Sequence, residues 1–309
     1  MKKIILFLSF LIFNFMLSSC NTIKEKSGMI FAFDTTIEIK IKCANANAIY
    51  DEINKIFNDY SDLADRYTKK EINNVYTINH SDDFVLVDQR LIELLNEALQ
   101  YQQETNGYFN PLIGNISEIY KQIIKDGDVS RLDNLETELV IMNNSKIIIN
   151  GNMVKIEGDA SIDLGAITKG YALKKVNEYL KEQNITNYLI SAGYSSISLG
   201  DKDGKEYRVG LKYDDSKILN LKNTTIGSCS MHEQNRIIDN VLYHHIVNPL
   251  NGKCENKYST IYLIGEDPSM IDAYATAFFN MEIQEIKTIC ENKKIKYLIY
   301  QNDVLTYNN

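Results

Sequence analysis

The sequence predicts one compact α+β domain with mixed or antiparallel sheets and flanking helices, and three observations predict it. Segments that alternate apolar and polar residues outnumber the amphipathic helical segments that could cross between parallel strands, which favours α+β over a doubly wound sheet. No stretch in the middle of the chain has the Pro, Gly or Ser richness of a linker, and no period of roughly 20–50 residues repeats. With 309 residues, 44% of them hydrophobic, and only 3 Pro, the chain carries enough apolar surface to offset the ordering entropy of one large domain.

Taken in order, the first element is a leader. Lys2 and Lys3 precede an apolar run from Ile4 to Met16, which as a helix would reach only about 20 Å, short of a bilayer core. A basic start and a short apolar run are the pattern of a secretory signal. It ends at Leu17-Ser18-Ser19-Cys20, which resembles a bacterial lipobox. Residues 1–19 are therefore expected to be removed, with Cys20 lipidated, residues 20–28 forming a tether, and residues 29–309 forming the folded domain. An uncleaved anchor with an incidental cysteine is the alternative.

Phe33 to Ile41 alternates as a strand does. Ile49, Ile53, Ile56, Phe57, Tyr60 and Leu63 fall at helical spacing, as do Leu91, Leu94, Leu95, Ala98 and Leu99 after a short strand near Phe84–Val87. The second helix should stop at Thr105-Asn106-Gly107. Asn115–Asp126 reads as a helix, and Asn150-Gly151-Asn152 joins two apolar runs as a hairpin. A helix follows from about Thr168 to Gln183, then strands at Tyr188–Ser191, Ser196–Leu199, Arg208–Leu211 and Ser259–Ile264. Helices near Ser269–Phe279 and Gln284–Asn292 and strands at Lys296–Tyr300 and Val304–Tyr307 complete the chain.

Charge and cysteines narrow the function classes. The balance of 33 basic against 41 acidic residues gives a net charge of −8, with no clustered Lys and Arg of the kind that nucleic-acid binding by counterion release requires. Beyond Cys20, the cysteines at 43, 229, 254 and 290 show neither C-x-x-C nor zinc-finger spacing. They read as small, mostly buried apolar residues.

Three segments could carry chemistry. Asp163 to Ala172 runs from a strand end through the small residues Gly165 and Ala166 into a helix. Such a helix N-terminus offers free N–H groups to an anion, with Lys169 adding a full charge; an ordinary strand–helix connection is the plainer alternative. In Tyr243-His244-His245-Ile246-Val247-Asn248-Pro249 the adjacent histidines would point to opposite faces of a strand and so cannot share one metal. Either could be a general base or simply a packed or solvent-facing imidazole. Asp272 and Thr276 lie at i and i+4, one helix face with two hard oxygen ligands suited to Mg²⁺; an Asp favoured near a helix N-terminus explains the same residue without a metal.

Together with Thr105-Asn106-Gly107-Tyr108-Phe109-Asn110-Pro111, these segments agree in order and spacing with one family. From about Phe33 to Met281 the chain resembles the ApbE family of FAD:protein FMN transferases. The resemblance implies an ApbE-like fold and Mg²⁺-dependent transfer of FMN from FAD to a Thr or Ser hydroxyl of an exported or membrane acceptor protein, with release of AMP. It implies metal ligation by Asp272, Thr276 and the backbone carbonyl of Ala166, and His245 as the base. Tyr108, Phe109, Asn110, Asp163, Lys169 and Val247 stand at positions resembling FAD contacts, as more loosely do Phe33 and Tyr67. It also fits an exported protein anchored by lipid to the outer face of the cytoplasmic membrane or on the periplasmic side. Two other functions use the same site: hydrolysis of FAD to FMN and AMP, with water in place of the acceptor, and flavin binding without catalysis. Asn110 and Asn248 stand where the family usually has Asp, Ala192-Gly193-Tyr194-Ser195 replaces a Gly-Gly-Asn/Asp element, and Cys229 fills a Gly position. The metal pair and His245 are intact, so activity is expected with a partly remodelled flavin pocket.

Overall fold

The computed structural model describes residues 23–301 and 304–308; the leader and Cys20 lie outside the described residues. The chain opens with β1 (Lys24–Ala32) and β2 (Thr35–Cys43), then α1 (Ala46–Ala64), α2 (Val75–Asn79), β3 (Val85–Leu86), α3 (Gln89–Glu104) and α4 (Gly114–Asp126). A 3₁₀ turn at Val129–Asn134 leads to α5 (Leu135–Asn144), the hairpin β4 (Lys146–Asn150) and β5 (Met153–Glu157), and α6 (Thr168–Glu182). The second half holds β6 (Tyr188–Ala192), β7 (Ser196–Leu199), β8 (Tyr207–Leu211), β9 (Asp214–Leu221), β10 (Thr224–Ser230), β11 (Asn235–Ile238) and β12 (Val241–His244). Last come β13 (Thr260–Gly265), α7 (Pro268–Phe278), α8 (Ile283–Lys293), β14 (Lys296–Gln301) and β15 (Val304–Tyr307).

The architecture is α+β, as expected. Eight strands form one sheet in the order β1-β2-β6-β7-β10-β13-β14-β15, and each neighbouring pair in it is antiparallel. One face is covered by α1, α6 and α7, whose apolar stripes meet Ile37, Ile39, Ile41, Ile190, Ile261 and Leu263 of the sheet in the main core. Side chains of the opposite parity, among them Leu199, Ile226, Tyr262 and Leu298, form a second core beneath the β8–β9 hairpin. Helix α1 shows why the stripe works: Ile49, Ile53, Phe57, Tyr60 and Leu63 recur at three- and four-residue intervals and are all buried.

Three expectations change. Residues 24–28 belong to β1, which pairs with β2 in an unbroken register from Lys24↔Cys43 to Ala32↔Thr35, so these five residues, expected as part of a tether, are strand. Its polar composition hides it, because an edge strand buries little on either face, and Gly28 is the one residue small enough to lie against the Tyr50 ring. Phe33 is therefore not inside a strand. Phe33 and Asp34 form the two-residue turn between β1 and β2 with φ of +54° and +55°, the left-handed pair that a right-twisted hairpin demands. In the β4–β5 hairpin, Asn150 pairs with Met153, which puts the turn at Gly151-Asn152.

Candidate active site

The centre of the site is the junction of α6 and α7. Helix α7 starts with Pro268 in its first turn and Asp267 as cap, whose Oδ1 accepts from the N–H of Ser269 at 2.9 Å and of Met270 at 3.2 Å. Ala273, Ala275 and Ala277 let the helix sit buried against the sheet and α6. Asp272 on this helix is 6% exposed. Its Oδ2 accepts from the Gly170 N–H at 3.0 Å and its Oδ1 from the Ser196 hydroxyl at 2.8 Å. Gly170 has no alternative here: a Cβ would stand 2.3 Å from the Pro268 carbonyl oxygen and 2.5 Å from the Asp272 Cβ. Among the described residues no Lys, Arg or His forms an ion pair with Asp272, so its charge rests on two neutral donors.

Thr276, one turn further along, is half-buried and neighbours the Cys229 thiol of β10. Burial pushes that thiol up to about 12, and the charges of Asp272 and Lys169 reach it as well. Cys229 is thus protonated at neutral pH. Lys169, in the first turn of α6, also faces His245.

The histidine pair divides as a strand requires. His244 ends β12 fully buried, edge-on to Phe279 with ring centroids 5.7 Å apart. Its Nδ1 accepts from the Ile246 N–H at 3.2 Å. His245 is exposed, and its N–H donates to the Gln234 carbonyl at 3.2 Å. Protein mass crowding its ring lowers the His245 pKa to about 4, with the charges of His244 and Lys169 acting in the same direction. The imidazole is neutral at physiological pH and able to accept a proton.

Around this centre, the other predicted residues take different parts. Asp163 does not hold out a free carboxylate. Its Oδ2 accepts from Arg66 Nη1 and from the Ser117 hydroxyl, both at 2.7 Å, and its Oδ1 from the Gly165 N–H at 2.8 Å. Burial raises its pKa, but the Arg66 charge and these hydrogen bonds outweigh that and hold the carboxyl below the ordinary range. Asp163 therefore shapes the turn that delivers Gly165, Ala166 and Lys169, and the turn is fixed at its other end by Asn79, which exchanges two hydrogen bonds with the Ile162 backbone.

The Tyr108–Pro111 loop lies alongside, tied by the Asp163 N–H to the Pro111 carbonyl at 2.8 Å. Within it Phe109 is buried in the core, Asn110 Oδ1 accepts from the Leu112 N–H at 2.9 Å, and Tyr108 faces Glu285 and Lys257. Gly107, at φ +83°, leaves room for Leu250 of the turn after His245. Val247 is buried there, its carbonyl accepting from Asn280 Nδ2 at 3.3 Å, while Asn248 bridges to Glu255 at 2.8 Å and to the Leu250 N–H at 3.0 Å. Tyr67 and Phe33 make contacts of their own. Tyr67 is exposed with Lys121 Nζ 3.6 Å from its ring centroid, and Phe33 packs edge-on to Phe57.

The structure thus brings Lys169, Cys229, His245, Asp272 and Thr276 together. Sequence reasoning missed Gly170 and Ser196, which bind Asp272, and Arg66 and Asn79, which hold the turn. The glycine stood inside a recognised motif, and its spacing to Lys169 was the available signal; Arg66 and Asn79 lie far away in sequence with no pattern around them.

The pattern that defines the ApbE family matches residues 33–299. Proteins named FAD:protein FMN transferase are similar along much of the chain. The one from Klebsiella pneumoniae is 23% identical over 223 residues, covering 68% of this chain and 69% of its own. The one from Vibrio cholerae is 20% identical over 267 residues, covering 83% and 80%. Among solved structures, the ApbE protein of Thermotoga maritima superposes with a TM-score of 0.79 at 22% identity, over 93% of this chain and 97% of that one. The flavin transferase ApbE of Vibrio cholerae does so with a TM-score of 0.75 at 19% identity, over the same shares. A family pattern spanning most of the folded region, on a fold shared almost end to end, establishes that this chain belongs to the ApbE family.

Proposed function

We propose that the chain transfers FMN from FAD to a Thr or Ser hydroxyl of an exported or membrane acceptor protein, releasing AMP, with Mg²⁺. The observation that carries this reading is the buried Asp272 carboxylate, which no cationic side chain among the described residues neutralises, beside Thr276, Lys169 and His245. A buried carboxylate held only by neutral donors suits a bound cation. Among the described residues no three His, Cys, Asp or Glu side chains form a cage, so the remaining ligands would be neutral oxygens, the habit of Mg²⁺ rather than Zn²⁺. Asp272, Thr276 and the carbonyl of Ala166 would hold the ion, and when bound it supplies positive charge against the diphosphate.

The chain's own residues do the rest. The Lys169 ammonium, in the first turn of α6 where the helix dipole is positive, attracts the diphosphate. His245 takes the proton of the acceptor hydroxyl as its oxygen bonds to the phosphorus of the FMN half; the anhydride bond breaks and AMP leaves with the electron pair. A diphosphate beside Lys169 offsets the charge that depresses His245 and makes the imidazole a stronger base at the moment it is needed.

The relatives' names support flavin transfer, and the wholly protein-satisfied Asp163 implies that flavin contacts come from its turn rather than its carboxylate. The test is incubation with FAD, Mg²⁺ and candidate exported acceptors, followed by intact-mass spectrometry. Covalent FMN on a Ser or Thr supports the reading. Free FMN and AMP with an unmodified acceptor would mean hydrolysis instead, and bound but uncleaved FAD would mean a flavin carrier. Anchoring through Cys20 belongs to the same proposal, since an acceptor outside the cytoplasm requires an exported enzyme.

A further inference from the structure

We infer that the solvent face of β1 is a docking surface for the membrane, seated at the headgroup–acyl boundary of the bilayer that holds the Cys20 lipid. This rests on the proposed lipidation of Cys20 and goes beyond it, because a lipid alone sets no orientation. Counted back in twos from Phe31, the residues sharing one face of the strand are Phe31, Met29, Ser27 and Glu25, and the count ends at Ile23, one residue before β1. Phe31, Met29 and Ile23 are 68%, 69% and 67% exposed, and only Ile237 among the described large apolar residues matches them. Ile30 and Ala32, of the other parity, pack into the main core. A single exposed apolar side chain is ordinary, but three on one side of one strand mark a surface that something covers.

The position of Cys20 says what covers it. Three peptide steps separate Cys20 from Ile23, at most about 11 Å of chain, so a lipid on that cysteine brings the start of β1 to the bilayer surface. A partner adding as a further strand would need the outward backbone groups of β1, but the Tyr50 hydroxyl already donates to the Met29 carbonyl at 3.1 Å. The charges of the face are largely engaged: Lys42, opposite Glu25, pairs with Asp203 at 2.5 Å, and Glu38, opposite Met29, accepts from the Tyr194 hydroxyl at 2.7 Å. Apolar insertion rather than attraction to anionic lipid is therefore the source of affinity, and the exposed Tyr194 adds an amphipathic ring of the kind enriched at membrane interfaces. The seating also orients the site. Ile30, Ile37, Ala192 and Ser196 share one rung across four strands, which puts Ser196, the partner of Asp272, three strand spacings or about 14 Å from β1. With β1 on the bilayer, the Asp272 end of the sheet is held near the membrane, where a membrane acceptor presents its hydroxyl.

The sequence contains no Trp, so F31W places a single fluorophore on this face. The full-chain lipoprotein is reconstituted in neutral phosphatidylcholine vesicles with brominated acyl chains, and its intact mass reports whether Cys20 is acylated. F31W emission should move to shorter wavelength and fall about twofold, as expected for an apolar side chain at the headgroup–acyl boundary, and high salt should not reverse this. V304W, at an equally open position on the opposite edge strand of the same sheet, should not be quenched. Adding I23S/M29S to F31W should lessen its quenching, since two of the three inserted side chains are gone. Acylated protein whose F31W emits as in water overturns the inference and leaves the anchor standing. Protein without acyl groups overturns the anchor, and the inference with it. A shift to shorter wavelength without quenching, dependent on protein concentration or on an added acceptor, would assign the face to a second copy or to the acceptor and overturn membrane docking.

Discussion

At Asp272 a buried carboxylate meets only the Gly170 N–H and the Ser196 hydroxyl, and the expected result of removing it follows from that. Asp272→Ala should abolish the Mg²⁺-dependence of FAD binding, read by flavin fluorescence titration with and without the ion; a variant that keeps the wild-type response to limiting Mg²⁺ would show that the cation sits elsewhere. The two histidines make a separate prediction. Burial lowers the pKa of His244 and crowding that of His245 below the ordinary imidazole value of 6.5, the latter to about 4. The unfolded chain therefore binds these protons more readily. Their contribution to stability is fully present above about pH 6.5 and is lost as pH falls toward the folded values. His245 is open to water, so His244 should carry most of this. Thermal melts between pH 7 and 5 should show a declining Tm, and His244→Asn, whose side-chain oxygen can still accept from the Ile246 N–H, should flatten that decline. An unchanged slope in the variant would assign the acid sensitivity to other groups.

Helices α6 and α7 touch at Gly170, where a methyl group has nowhere to go. Gly170→Ala should cost about 1–3 kcal/mol or somewhat more in urea unfolding and should weaken Mg²⁺ response together with stability, because the shift needed to admit it separates the N–H from Asp272. Retention of both would mean the interface is looser than its geometry. These two helices were readable from sequence, since each has a long apolar face, as were β6, β7, β13 and β14. Strand β10 was not. Its Thr224-Thr225-Ile226-Gly227-Ser228-Cys229-Ser230 has hydroxyl and small side chains where alternation is sought, and those small residues are what let α7 approach, Gly227 lying against Ile271. Helix α5 was also missed, because it buries only Met142 and so shows no stripe. In the β11–β12 hairpin, the turn Asp239-Asn240 has φ of +49° and +62°, but strands of four residues leave too little pattern to see.

For the molecule as a whole, the α+β class was legible in the count of strand-like against helical segments, and the grouping of three distant motifs was legible through their resemblance to one family. The roles inside the group were not, since whether Asp163 meets a ligand or Arg66 depends on contacts 97 residues apart in sequence. The proposed export is the other matter at the scale of the whole chain. Cys20→Ala should leave the protein unprocessed or released from membranes on fractionation, because the lipid supplies an affinity that the short apolar leader cannot; stable, processed, membrane-bound variant protein would contradict the lipid anchor. The central claim is that this site moves FMN onto a protein hydroxyl with His245 as the base. It is tested most directly by intact-mass measurement of acceptor flavinylation by wild type and His245→Ala, with FAD affinity titrated for both. The account predicts covalent FMN on the acceptor, formed about 10²–10⁴ times more slowly by the variant at unchanged FAD affinity. Equal rates for the two proteins, or an acceptor that never gains FMN while FAD is consumed, would contradict it.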